Sequence, residues 1–183
     1  MKLPPQAKKV FTGVIFDVYQ WEQEMYDGTK ETFEKLKRAD TVTIIATNKD
    51  KIFLSREIQP DRNKYFFSNF GGRVDKGEEP LAAAKRELLE EAGMKSDSWT
   101  LLTIDSLISK IDWSVYVYVA KNCQKVAPQK LDSGEKIEII ELKFEEFIDK
   151  VFEDDFRGLD IKLHLTKNFR QDPQFSTFKR MIF

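Results

Sequence analysis

The sequence predicts an α/β protein in which helices are layered around a mixed β-sheet. Short strand-like segments come in runs, one helical segment at residues 80–92 lies between strands, and a second at residues 144–152 follows the last strand. This order is typical of α/β layers. A length of 183 residues suits a single domain, and a 41% hydrophobic content is enough for a sizeable core.

Residues 1–40 are predicted to form a hairpin extension of the same domain, which continues through residues 41–183. The segment 10–26 is rich in β-branched and aromatic residues, and Asp27-Gly28 is a strong two-residue turn signal. The Lys and Glu content of residues 29–38 also fits a helix. A strand is favoured because the turn and the preceding strand need a partner. The aromatic residues of this hairpin could either contact a second subunit or cover the core of the same chain.

Further strands are predicted at residues 41–46, 51–56, 99–109, 113–120 and 137–142, because these segments are rich in β-branched and apolar residues. Residues 121–136 have the composition of a surface loop. Phe144, Phe147, Ile148 and Val151 recur at helical spacing, which predicts the helix over 144–152. One or two short helices, broken near Pro173, are expected in the tail.

Composition and charge exclude several classes of protein. The chain has 30 Lys and Arg against 31 Asp and Glu, so it lacks the basic excess of nucleic-acid binders. The single cysteine, Cys123, cannot form an internal disulfide framework. The first ten residues lack the apolar run of a signal peptide, and no segment approaches a membrane span. We therefore expect a soluble cytoplasmic protein that does not bind nucleic acid or membranes.

The stretch from Gly72 to Met94 organises the chain: a glycine-cornered loop feeds a helix with an acidic face. Pro80 suits the first helical turn, and Gly93 lies where a left-handed cap would end the helix. Glu87, Glu90 and Glu91 fall within an arc of roughly 100°. Three carboxylates held this close repel one another, and a hard divalent cation would relieve the repulsion. Oxygen ligands favour Mg²⁺, with Mn²⁺ as the other candidate.

The spacing of this stretch resembles the Nudix box at every fixed position. The matching positions are Gly72, Glu78, the run Arg86-Glu87-Leu88, the pair Glu90-Glu91, and Gly93. Segments on both sides also look like the ADP-ribose and ADP-sugar pyrophosphatase branch of that family. The resemblance implies an α/β/α sandwich around the mixed sheet, with residues 41–183 as the Nudix hydrolase domain. It also implies a homodimer, joined through the N-terminal hairpin.

The resemblance implies a metal-dependent hydrolase of diphosphates and a role for each box residue. The metal ligands would be Glu87, Glu90, Glu91 and the carbonyl of Gly71. Glycine lets a backbone carbonyl approach an ion closely, which independently fits position 71. Glu78 and Arg86 would brace the loop onto the helix.

The resemblance leaves more than one candidate for the general base. In the ADP-ribose branch it can be a glutamate on a mobile loop before the last strand, which here is Glu135, with Glu138 as the fallback. A box glutamate, Glu90, is the alternative base.

The leading substrate class is a nucleoside diphosphate linked to a sugar, such as ADP-ribose or an ADP-sugar. Two features depart from the ADP-ribose branch: residues 108–110 contain no proline, and residues 56–60 lack a second arginine. Nucleoside triphosphates and dinucleoside polyphosphates are the alternative substrates, and Arg56 and Arg73 are candidate substrate-binding residues. A non-catalytic nucleotide sensor is the alternative from another class. Such modules usually lose a box carboxylate, whereas every one is present here.

Overall fold

The computed structural model describes residues 2–183 and forms thirteen strands and four helices, in chain order. The strands are β1 Lys8–Thr12, β2 Asp17–Glu24, β3 Lys30–Lys37, β4 Thr41–Asn48, β5 Lys51–Ile58, β6 Phe66–Ser68, β7 Phe70–Arg73, β8 Met94–Lys95, β9 Ser98–Asp105, β10 Ile111–Asp112, β11 Val115–Lys121, β12 Gln124–Lys125 and β13 Lys136–Lys143. The helices are α1 Pro80–Ala92, α2 Phe144–Phe152, α3 Leu159–Asn168 and α4 Ser176–Ile182.

The central sheet is mixed and has the strand order β13-β5-β4-β11-β9. Strands β4 and β11 are parallel, whereas the other neighbours on this path are antiparallel. Strands β4 and β5 pair with each other only next to their connecting turn, from Ala46↔Phe53 to Asn48↔Lys51. Beyond that point β6 pairs with β5 and β7 pairs with β4. The glycine pair in the middle of β7, Gly71 and Gly72, is thereby held inside the sheet.

Helices cover both faces of this sheet, which confirms the expected α/β/α layering. Helix α1 packs on one face, and helices α2, α3 and α4 pack on the other. Alternation along β4 supplies both cores, because successive side chains of a strand point to opposite faces. The α1 face includes Val42, Ile44, Ala46, Phe70 and Leu88. The opposite face includes Ile45, Val117, Phe147, Ile161 and Leu165.

The N-terminal strands form a separate sheet of order β1-β2-β3-β10. Residues 30–37 are a strand that pairs with β2 in unbroken register, which confirms the strand interpretation over the helical one. The first arm is not one strand, however. It folds back at Gly13, whose N–H donates to the Phe16 carbonyl at 3.0 Å, so β1 and β2 form a hairpin of their own. Hydrophobic content alone did not indicate this turn, because β-branched and aromatic residues flank it.

Both predicted boundaries of the box helix are correct. Pro80 is the first helical residue, and Gly93 adopts the left-handed conformation at φ 60°. The Gly93 N–H closes the last turn by donating to the Leu88 and Leu89 carbonyls. Within residues 2–183, no helix combines the length and the apolar composition that crossing a membrane requires.

Candidate active site

The acidic face of α1 lies directly against the backbone of β7. The Gly71 N–H donates to Glu91 Oε2 at 2.9 Å. A methyl group added at Gly72 would lie 2.3 Å from Glu87 Oε1, so only glycine leaves room for this carboxylate. Gly71 has φ +150°, and a Cβ there would lie 2.1 Å from the Val42 carbonyl oxygen. Gly72 therefore sets how closely the helix approaches the sheet, whereas Gly71 permits the close pairing of β7 with β4.

The guanidinium of Arg86 ties the loop before α1 to the helix. It donates to both carboxylate oxygens of Glu78, at 3.1 and 3.0 Å, and to the Arg73 carbonyl at 2.9 Å. Its Nη1 also donates to Glu87 at 2.9 Å and to Glu90 at 3.1 Å. Hydrogen bonding to Arg86 lowers the pKa of the Glu78 carboxyl, and the same bonds raise the pKa of Arg86.

The segment after β11 caps the carboxyl end of α1. A helix leaves its last four carbonyls without intrahelical partners. Here the segment 125–130 supplies donors to the carbonyls of residues 90–93. The hydrogen bonds are Lys130 N to Glu90 O at 2.8 Å, Gln129 Nε2 to Glu91 O at 2.6 Å, Lys125 Nζ to Ala92 O at 2.7 Å, and Val126 N and Ala127 N to Gly93 O at 2.9 and 3.2 Å.

This cap leads directly to a tight turn that carries Glu135. The Glu135 N–H donates to the Asp132 carbonyl at 2.9 Å, and Glu135 Oε2 accepts the Asp132 N–H at 3.0 Å. The turn closes over α1 and forms a cavity of about 490 Å³. The cavity is lined by Gly71, Gly72, Arg73, Asp75, Arg86, Glu87, Glu90, Glu91, Lys130, Asp132 and Glu135.

The carboxylates of this cavity carry more negative charge than their surroundings compensate. Burial raises the pKa of Glu91 well above its ordinary value, although the Gly71 N–H opposes the rise, and the charges of Glu87, Glu57 and Glu135 add to it. Burial also raises the pKa of Glu87 and of Glu57, and in each case the nearby Glu135 adds to the rise. Such a site gains stability from an added cation.

Comparison with known proteins identifies the family. The NUDIX domain profile matches residues 37–160. The chain belongs to the Nudix family.

Two curated relatives match along most of the Nudix chain. It is 27% identical over 142 residues to ADP-ribose pyrophosphatase of Bacillus subtilis (strain 168), which covers 76% of this chain and 77% of the relative. It is also 27% identical over 152 residues to the methanol dehydrogenase activator of Bacillus methanolicus, covering 81% and 82% respectively. A third relative matches over less of its length: ADP compounds hydrolase NudE of Escherichia coli (strain K12) is 27% identical over 124 residues, covering 66% and 65%.

A solved structure supports the Nudix fold independently. The crystal structure of an ADP compounds hydrolase superposes with a TM-score of 0.73 at 20% identity, covering 93% of this chain and 94% of that chain. This likeness confirms the predicted fold class.

The Nudix box offers donors that suit a divalent ion, but they are not yet arranged around one point. Within residues 2–183, no three acidic, histidine or cysteine side chains already converge as a metal-binding group. Arg86 forms ion pairs with Glu87 and Glu90. The buried Glu91 is hydrogen-bonded to Gly71 instead. Oxygen donors and uncompensated charge fit a hard cation.

The structure does not bring Arg56 or Glu138 to this Nudix site. Phe53 and Ile137 pack on the α1 face, so strand alternation puts Arg56 and Glu138 on the opposite face. There they form a cross-strand ion pair of 2.7 Å, and Arg56 lies 4.0 Å from the Tyr65 ring centre. Sequence reasoning could not predict this, because the phase of alternation depends on how the strands pair.

Arg73 does line the cavity, at its rim. It is largely exposed and pairs with Asp75 at 3.1 Å. Two residues that the sequence did not single out also belong here. Glu57 is half-buried on the α1 face of β5, and Lys130 lines the cavity. Neither has a local sequence signal. The pairing of β5 with β13 positions Glu57, and the hydrogen bonds that cap α1 position Lys130.

We expect Glu91→Gln to stabilise the metal-free protein at neutral pH. The pKa of Glu91 is raised in the folded state, so its contribution to stability is complete below its unfolded pKa of about 4.3 and is lost as pH rises through the folded value. The amide keeps an oxygen acceptor for Gly71 and carries no charge. Thermal unfolding in EDTA should show a higher midpoint for the variant at pH 8 and no difference near pH 4.

Magnesium should reverse this order at pH 8, by raising the midpoint of the wild type and leaving that of the variant unchanged. Glu141→Gln is the matched control, because Glu141 is an exposed residue of β13. Equal midpoints for wild type and Glu91→Gln in EDTA at pH 8 would contradict the buried charge at Glu91.

Proposed function

We propose that this Nudix protein is a Mg²⁺-dependent hydrolase that cleaves the diphosphate linkage of a nucleoside diphosphate joined to another moiety. The observation that carries the proposal is the cavity itself. It unites the complete acidic face of α1 with Glu135, a carboxylate from a separate turn. A nucleotide sugar such as ADP-ribose is the leading substrate, supported by the similarity to ADP-ribose pyrophosphatase and to ADP compounds hydrolase NudE.

The residues of the cavity would have different roles in the reaction. A diphosphate repels a water nucleophile, and a bound divalent ion neutralises that charge and acidifies coordinated water. Glu87, Glu91 and Glu90 would hold the ion, together with the Gly71 carbonyl. Arg86 and Glu78 keep the preceding loop attached to the helix by the two hydrogen bonds between them. This leaves the box carboxylates on a rigid support.

Glu135 is the proposed general base. Its Oε2 is held by the Asp132 N–H, which fixes the orientation of the carboxylate beside the cavity. Attack on phosphorus forms one bond from the water oxygen and breaks the bond to the bridging oxygen. The water proton passes to Glu135, and the bridging oxygen leaves with the other phosphate. The turn that carries this base follows the segment that caps α1, so the base and the proposed metal ligands line the same cavity.

The experiment that tests the function is a substrate panel with and without Mg²⁺. It comprises ADP-ribose, ADP-sugars, other nucleotide sugars, NADH, dinucleoside polyphosphates and nucleoside triphosphates. We expect turnover of at least one nucleoside diphosphate linked to another moiety, abolished by EDTA and by Glu91→Gln. Glu141→Gln should retain full activity. If no substrate of the panel is hydrolysed although the protein is folded and binds Mg²⁺, a non-catalytic nucleotide-sensing module would be favoured.

Glu135→Gln should lower kcat by roughly 10²–10⁴ while leaving Mg²⁺ binding intact, because the amide cannot accept the proton. Steady-state kinetics on the substrate found in the panel would measure kcat, and calorimetry would measure the metal affinity. A loss of less than about tenfold would return the role of base to a box glutamate, Glu90. Asp132 provides the backbone that orients Glu135, so Asp132→Asn should retain most activity.

The protein is further proposed to be a homodimer joined through the N-terminal hairpin. Val10, Phe11, Val14 and Ile15 expose apolar side chains there, and Val14 is fully exposed. Contiguous exposed apolar residues mark protein contacts. Light scattering should give twice the chain mass of 21.5 kDa. Phe11→Lys should shift the mass towards one chain, and a single-chain mass for the wild type would contradict the dimer.

A further inference from the structure

Three cationic side chains line the catalytic cavity, and two of them are already engaged. Arg86 pairs with Glu78, Glu87 and Glu90 at 3.0, 2.9 and 3.1 Å. Arg73 pairs with Asp75 at 3.1 Å. Lys130, by contrast, forms no ion pair within 4.0 Å among residues 2–183, although the cavity that it lines contains six carboxylates.

The backbone of Lys130 is fixed on the helix that carries the box glutamates. Its N–H donates to the Glu90 carbonyl at 2.8 Å. The preceding residue, Gln129, donates from Nε2 to the Glu91 carbonyl at 2.6 Å and to the Ile137 carbonyl at 3.2 Å. The main chain of Lys130 is therefore held between α1 and β13. A four-carbon stem then gives its ammonium freedom of reach over the cavity.

The charge balance of the cavity indicates what this ammonium would bind. The box carboxylates suit metal ions, but they repel the phosphate oxygens that the ions do not neutralise. An ammonium is a compact point charge with three donors, and lysine is a common phosphate ligand. Resting on the function proposed above, we propose that Lys130 is a phosphate-binding residue that holds the diphosphate group of the substrate against the acidic face of α1.

Lys130→Met and Lys130→Arg test this role. Methionine keeps most of the stem and removes the charge, whereas arginine keeps a cation. The probe is imidodiphosphate, a diphosphate that resists hydrolysis, titrated calorimetrically into the protein saturated with Mg²⁺. We expect Lys130→Met to weaken its binding about 10- to 100-fold, as for the loss of a charged hydrogen bond. Lys130→Arg should recover most of the affinity. Binding of Mg²⁺ alone should be unchanged in both.

Lys136→Met is the matched control. Lys136 is exposed, six residues further along, and has the same strand parity as Glu138, which places it on the opposite face from α1. The Lys136→Met substitution removes the same charge, and the variant should bind imidodiphosphate with the affinity of the wild type. Steady-state kinetics gives a second comparison: Lys130→Met should raise KM for the hydrolysed substrate by a similar factor and change kcat less.

Two different failures are distinguishable. If wild type and Lys130→Met have equal imidodiphosphate affinity and equal KM, the role of Lys130 is overturned and the hydrolase remains. A loss equal to that of Lys136→Met would also overturn it, because the effect would be one of overall charge. If the wild type neither binds imidodiphosphate nor hydrolyses any member of the panel, the proposed function itself fails, and the role of Lys130 with it.

Discussion

The close approach of helix α1 to strand β7 is the constraint on which the site depends. A helix normally stands off from a sheet by the length of its side chains, yet here carboxylates touch the strand backbone. Glycine at 72 permits this, since a Cβ there would overlap Glu87, and glycine at 71 lets β7 lie close to Val42 of β4. The short pairing of β4 with β5 also contributes, because β7 pairs with β4 where β5 has separated from it. Sheet topology thus determines where the acidic face is held.

The cap on the carboxyl end of α1 joins the second half of the site to the first. Unpaired carbonyls at a helix end must find donors, and segment 125–130 supplies them for four consecutive residues. The same segment continues into the turn that carries Glu135. The hydrogen bonds that satisfy the helix end therefore also connect the turn of the proposed base to the helix of the proposed metal ligands. Lys130 owes its place in the cavity to the same hydrogen bonds.

The electrostatics of the cavity follow from burial. Glu91 is almost completely buried, and the pKa values of Glu91, Glu87 and Glu57 are all raised, mainly because burial disfavours their charged forms. Arg86 compensates part of this charge while it braces Glu78. The remaining excess of negative charge is what the proposed divalent ion would neutralise. Lys130, which lines the same cavity, is proposed to hold the phosphate oxygens that the ion does not neutralise.

The sequence by itself determined the features that depend on local rules. The box helix, its Pro80 start and its Gly93 cap follow from the backbone preferences of those residues. The amphipathic pattern of residues 144–152 likewise predicted α2 without error. The acidic face was also readable, because helical geometry alone places Glu87, Glu90 and Glu91 on one side.

Only the tertiary structure decided which distant residues join that face. Arg56 and Glu57 are adjacent in β5, so they lie on opposite faces of the sheet, and only the packing of the sheet against α1 decides that Glu57 is the one on the α1 face. The early turn at Gly13 was hidden because its flanking residues favour strands on both sides. Lys130 has no signal of its own, since its position comes from hydrogen bonds to carbonyls forty residues earlier. Local propensity cannot encode such contacts, because they form only when separate elements pack.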